Sequence, residues 1–153
     1  IESCSASRCS LDGVHKVTLT CYSDRRSLEK AIDQIEKRID VIKAYLYTDD
    51  EVVYQEVALY KVSTAKLLEE NNLEEIMRRH NARILDITAN YTILEKTGHS
   101  DETEALFLEL KRYDLSQFVR SGRVAITKSP VELVDAYLKD QEERRKRLTH
   151  ELF

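Results

Sequence analysis

Glycine occurs at only three positions, Gly13, Gly98 and Gly122, in a chain of 153 residues. A phosphate-cradling loop needs several glycines close together so that backbone N–H groups can converge on the anion, and no such cluster exists here. Each glycine sits between extended-looking runs and is expected to serve a turn. Cysteine is equally sparse. Cys4, Cys9 and Cys21 form an odd, N-terminally clustered set, which is not a secreted disulfide framework and reads as free thiols in a reducing compartment. A structural zinc site would need four ligands, and no second Cys or His pair follows Cys4, Cys9 and the nearby His15, so no metal is expected. The four histidines, His15, His80, His99 and His150, are scattered. No nucleophile elbow or H-E-x-x-H helix accompanies them, and no nucleophile, base and orienting group can be nominated together. Long apolar runs are missing too: nothing approaches the roughly 18 residues of a membrane span, and the start Ile1-Glu2-Ser3-Cys4 has no signal-peptide core, so a cytosolic location is expected. With 24 Lys plus Arg against 28 Asp plus Glu, the net charge of -4 lacks the basic surface of a non-specific nucleic-acid binder.

What is present is periodicity. Val17, Leu19 and Cys21 alternate with Lys16, Thr18 and Thr20, which predicts a strand over 14–22, with 2–7 as a hairpin partner across the Leu11-Asp12-Gly13 turn. Asp24 is a good N-cap for a helix whose Leu28, Ile32, Ile35 and Ile39 share one face. Residues 40–47, rich in Val, Ile and Tyr, read as a further strand. After the acidic stretch 48–51 come a strand over 55–62, a helix over 64–80 with Leu67, Leu68, Leu73, Ile76 and Met77 as its buried stripe, and Asn71-Asn72 as a weak point. Two short strands, 82–88 and 91–97, follow. Ser100 is expected to cap a helix with Leu106, Phe107, Leu110 and Tyr113 inward, ending near Asp114 in a left-handed conformation. Two extended pieces, 115–120 and 123–127, turn at Ser121-Gly122.

Residues 2–47 and 82–120 share the order strand, strand, helix, strand, and the second is preceded by a strand and helix that complete a βαββαβ unit. The fold class is therefore α+β, with tandem ferredoxin-like units. The domain boundary falls at about residue 50, giving 1–50, 51–128 and a C-terminal extension, 129–153. The first unit lacks its opening strand and helix, so the chain is expected to be a fragment missing roughly 25 residues. Pro130 starts a terminal helix in which Asp140 and Arg144, Glu142 and Lys146, and Glu143 and Arg147 stand four apart in the favourable orientation. That pattern describes a self-supporting exposed helix better than a basic contact surface at 144–147.

Beyond pattern, the words themselves carry information. Ile39-Asp40-Val41-Ile42-Lys43, Glu56-Val57-Ala58-Leu59-Tyr60-Lys61-Val62, Asn81-Ala82-Arg83-Ile84-Leu85-Asp86-Ile87-Thr88, Glu95-Lys96-Thr97-Gly98-His99 and Phe118-Val119-Arg120-Ser121-Gly122-Arg123-Val124-Ala125 stand in order over residues 1–128. The ordered set resembles the small, regulatory subunit of acetolactate synthase. The terminal helix lies outside the resemblance.

The resemblance implies that the first unit is an ACT domain binding a branched-chain amino acid such as valine at a dimer interface, and that a ferredoxin-like domain follows it. It implies a homodimer, and no catalytic residue in this chain. The small subunit of the family activates a catalytic subunit, makes it sensitive to valine feedback, and leaves thiamine diphosphate, magnesium and FAD to that partner. The family's Asn-x-x-Gly-x-Leu effector loop has no counterpart here, so only Ile1 and Glu2 carry over as effector contacts. Arg120 and Arg123, flanking Ser121-Gly122, are candidates for contact with the catalytic subunit. The competing reading is an ACT-type amino-acid- or metal-sensing module of a transcriptional regulator; it would need a helix-turn-helix or a His/Cys cluster.

Overall fold

The computed structural model describes residues 1–151, with side chains through Thr149; His150 and the last part of the extension lie outside the described side chains. A first unit holds strands β1 (Ser3–Arg8) and β2 (His15–Thr20) and helix α1 (Arg25–Glu36). The strands pair antiparallel from Ser3 opposite Thr20 to Arg8 opposite His15, around a turn that uses Gly13 at φ +74°. Asp24 caps α1 as expected, accepting from the Ser27 N–H at 3.0 Å.

No residue of α1 is buried. Leu28, Ile32 and Ile35 are half-covered, and Ile39 lies beyond the helix, fully exposed. Nor do residues 40–47 form the expected strand: the chain turns after Glu36 and runs irregularly, with Glu36 accepting from the Ala44 N–H at 3.0 Å and pairing with Lys43. β-branched and aromatic content favours a strand only where a neighbouring strand offers a ladder, and none stands beside this segment among the described residues.

The second unit is a four-position antiparallel sheet with helices on one face. It comprises β3 (Val52–Ser63), α2 (Thr64–Glu70), α3 (Leu73–His80), β4 (Arg83–Ile87), β5 (Tyr91–Gly98), α4 (Ser100–Leu110), β6 (Gln117–Arg120) and β7 (Val124–Thr127). The order β4-β5-β3-β6, with β7 continuing along β3, places the first strand of the unit at the centre. That is the ferredoxin-like order. Alternation along β3 sends Ala58, Tyr60 and Val62 under the helices, where they meet Leu67, Ile76, Leu94, Leu106, Leu110 and Tyr113 in one core, and leaves Val57 and Leu59 on the open face.

The helix expected over 64–80 is two. Asn71 turns left-handed at φ 49° and ends α2; the new phase leaves Leu68 63% exposed while Ile76 is buried. The cap of α4 is His99, one residue before the expected Ser100, and Glu102 reaches back to the His99 N–H at 2.8 Å. Asp114 is left-handed at φ 53°, as expected. Gly98 is not a turn residue: it ends β5, where a Cβ would lie 2.7 Å from Glu102 Oε2 and 3.3 Å from Lys96 Cε. The last helix, α5 (Leu133–Glu151), carries the expected pairs, Asp140–Arg144 at 2.9 Å, Glu142–Lys146 at 2.8 Å and Glu143–Arg147 at 3.8 Å. Among the described residues, no helix is long and apolar enough to cross a membrane.

Candidate functional site at the joint between the units

Strands β6 and β7 run along the same partner, so Ser121-Gly122 bulges the edge without reversing it. Arg120 stands opposite Ala58 and Val124 opposite Gln55. The Ser121 N–H donates to the Val57 carbonyl at 2.9 Å and the Val57 N–H to Ser121 Oγ at 3.0 Å. Continuing the register therefore leaves both Gly122 and Arg123 opposite Glu56, the two-against-one count of a β-bulge. Gly122 takes φ +75°, and a Cβ there would come within 3.2 Å of Ser3 Cβ and 3.5 Å of the Cys4 carbonyl. This close approach seats β1 of the first unit against the bulge. Lys16 adds a second tie, its Nζ donating to the Ala125 carbonyl at 2.9 Å.

Around this joint lies a cleft of about 210 Å³ lined by Glu2, Ser3, Glu56, Ser100, Arg120 and the Gly122-Arg123 bulge. Glu56 occupies an inward position of β3, in line with Ala58 and Tyr60, and its side chain is 7% exposed. A buried carboxylate needs partners. It has two: the Thr103 hydroxyl donates to it from the first turn of α4, and Arg120 Nη1 stands 3.6 Å away. Tyr60, one layer deeper, donates to the Thr103 carbonyl at 2.7 Å, and burial, with the Glu56 charge nearby, holds its hydroxyl well above the usual tyrosine range.

Three of the four residues nominated from sequence converge here: Glu2, Arg120 and Arg123 all line the cleft, whereas Ile1 is 87% exposed and outside it. The arginines differ in what they offer. Arg123 is 13% exposed, pairs with Asp49 at 2.7 Å, and lies 4.1 Å over the ring of Tyr54, which stacks on His99. Its charge pins the 49–51 turn to the sheet. Arg120 keeps 34% of its side chain exposed. Sequence reasoning passed over Glu56 and Ser100, though a carboxylate on the apolar parity of β3 is a readable sign of a buried partner. Among the described residues, no group of three or more His, Cys, Asp or Glu side chains is placed to hold a metal ion.

Fold and joint together define a two-unit α+β chain whose larger unit is a ferredoxin-like sandwich, with a polar cleft where the smaller unit docks on a bulged edge. The family model described as the small subunit of acetolactate synthase matches residues 55–129. Relatives extend the likeness into the first unit. The acetolactate synthase small subunit of Bacillus subtilis is 28% identical over 129 residues, 84% of this chain and 74% of the relative. That of Aquifex aeolicus is 26% identical over 126 residues, 82% and 66%. A probable small subunit from Archaeoglobus fulgidus is 27% identical over 128 residues, 84% and 79%. The crystal structure of the small subunit from Thermotoga maritima superposes with a TM-score of 0.75 at 21% identity, over 85% of this chain and 81% of that one, and so shares the fold. Residues 55–129, about half of the chain, belong to the acetolactate synthase small-subunit family.

Proposed function

We propose that the chain is a non-catalytic regulatory subunit of acetolactate synthase, which binds the thiamine-diphosphate-dependent catalytic subunit, raises its activity and makes it sensitive to valine. The observation that carries this reading is that the likeness to curated small subunits covers 84% of the chain and so reaches beyond residues 55–129 into the first unit. In this reading residues 1–50 form the effector-responsive ACT unit, 51–128 the ferredoxin-like domain and 129–153 a helical extension. Two chains associate, and the open sheet face supports that pairing with exposed Val57, Leu59 and Val119. Ile1 and Glu2 belong to the effector side. Arg120 offers the catalytic partner an accessible charge, and Arg123 shapes the bulge that presents it. The assembly acts in the cytoplasm.

Feedback of this kind needs a ligand that favours one arrangement of the assembly, and a coupling of about 1–3 kcal/mol suffices for a 5–150-fold effect. The test is acetolactate formation by a cognate catalytic subunit titrated with this chain, with and without valine. Saturable stimulation supports the activating role, and its loss of potency in Arg120→Ala supports the contact. Absence of stimulation rejects the assignment and favours the sensor-module reading.

A further inference from the structure

We infer that Glu56 is a positioning residue for the partner contact: it holds the Arg120 guanidinium ready for a carboxylate on the catalytic subunit. This rests on the proposed reading of Arg120 and adds the group that sets the geometry of the arginine. All the residues involved lie in the second unit. Ala58, which faces the helices, stands opposite Arg120, and Tyr60 stands opposite Phe118. Arg120 therefore projects from the helix side of the sheet, on the strand at its edge. Its guanidinium lies 5.9 Å from the ring centre of Phe118, and its Nη1 is 3.6 Å from Glu56 Oε1.

A carboxylate with only 7% of its side chain exposed is costly unless partners hold it. Glu56 is fixed from below. The same Oε1 accepts from the Thr103 hydroxyl of α4, and the Thr103 carbonyl accepts from the Tyr60 hydroxyl at 2.7 Å. Thr103 and Tyr60 are fully buried, so the series Tyr60, Thr103, Glu56, Arg120 runs from the core to a side chain that is 34% exposed. An ion pair this loose, with one partner partly in water, contributes little to stability; its consequence is orientation. An arginine gives up rotamer freedom when a partner orders it, and one already confined gives up less. The planar fork keeps further N–H donors for a second carboxylate, which it can take in bidentate fashion.

The test is acetolactate formation by a cognate catalytic subunit, titrated with the full chain, Glu56→Gln, Arg120→Ala and the double variant. Glutamine has the size of glutamate and keeps an acceptor for Thr103, while the charge that holds Arg120 is gone. Glu56→Gln is expected to raise the concentration for half-maximal stimulation by about three- to tenfold, the effect of freeing one rotamer-rich side chain. In the Arg120→Ala background the same substitution should change it by less than about twofold, which a merely structural role for Glu56 would not give. Potency unaltered by Glu56→Gln, or lowered by the same factor in both backgrounds, overturns the inference and leaves the proposed function standing. No stimulation by the unsubstituted chain rejects the proposed function, and the inference falls with it. A second measurement needs no substitution: the {¹H}-¹⁵N NOE of the Arg120 Nε–H should match the backbone of β3. A value as low as that of the exposed Arg145 on α5 overturns the inference.

Discussion

Lys96 faces the helices from β5 with its side chain 5% exposed, and its ammonium stands 3.3 Å from Glu102 Oε1. Glu102, half exposed, also accepts from the His99 N–H at 2.8 Å, a bond that holds its carboxyl below the usual range. The two partners are therefore unequal. Glu102→Ala removes the cap interaction, worth about 1 kcal/mol, and strands a buried ammonium. Breaking a fully buried pair costs about 3–5 kcal/mol, but water already screens the carboxylate, so we discount this to about 1–2 kcal/mol. The expected loss is about 2–3 kcal/mol. Lys96→Met replaces the ammonium with an apolar chain of similar length, and Glu102 keeps both its solvent and its cap, so a change within about 1 kcal/mol is expected. The double variant should cost about 1 kcal/mol, the cap alone. Urea unfolding at neutral pH, followed by far-UV circular dichroism, measures all three. If Lys96→Met destabilises as much as Glu102→Ala, the ammonium is a net stabiliser and the reasoning fails.

Acid should weaken the sheet through Glu95, which is buried on the open face, accepts from the Thr97 hydroxyl and pairs with Arg83. The Thr97 bond first, aided by Arg83 against burial, holds its carboxyl below the ordinary 4.5. The folded value is thus lower than the unfolded one, so the stabilisation is complete above about pH 4.5 and is lost as pH falls through the folded value; the urea midpoint of Glu95→Gln should decline less steeply in acid, and parallel declines would refute the role. Gly122→Ala adds a Cβ at φ +75° within 3.2 Å of Ser3 and should cost about 1–2 kcal/mol; hydrogen exchange should quicken in β1 and β2 while β3 and β5 stay protected, and uniform quickening would show that Gly122 serves the sheet and not the joint.

Legibility in the sequence followed burial. The β3 alternation and the α4 stripe were readable because their inward positions are covered on one side only, which keeps period two and period 3.6 visible. The α2–α3 break was legible as a weak point at Asn71-Asn72 but not as a change of phase, since the left-handed turn resets which residues face in. Residues 40–47 have the composition of a strand without forming one, because strand formation depends on an available ladder and composition does not report one. At the joint, Glu2, Arg120 and Arg123 lie far apart in sequence, and their convergence depends on the bulge; the word Arg120-Ser121-Gly122-Arg123 showed a turn, whereas the register along β3 made it a seat for β1.

The first unit is held to the second by a few named contacts. Among the described residues, every buried apolar residue lies between Ala58 and Tyr113. The first unit is a two-stranded sheet and a helix without a buried residue, with Val17 and Leu19 exposed. A two-stranded ribbon alone is marginally stable in water, so what positions this unit is its contact with the bulge, the Lys16 tie and the Arg123–Asp49 clamp on the connecting turn. Elements with few buried contacts open at low free energy and are the ones that ligands or partners can bias. A perturbation at Gly122 should therefore loosen β1 and β2 while the sandwich stays fixed as their frame.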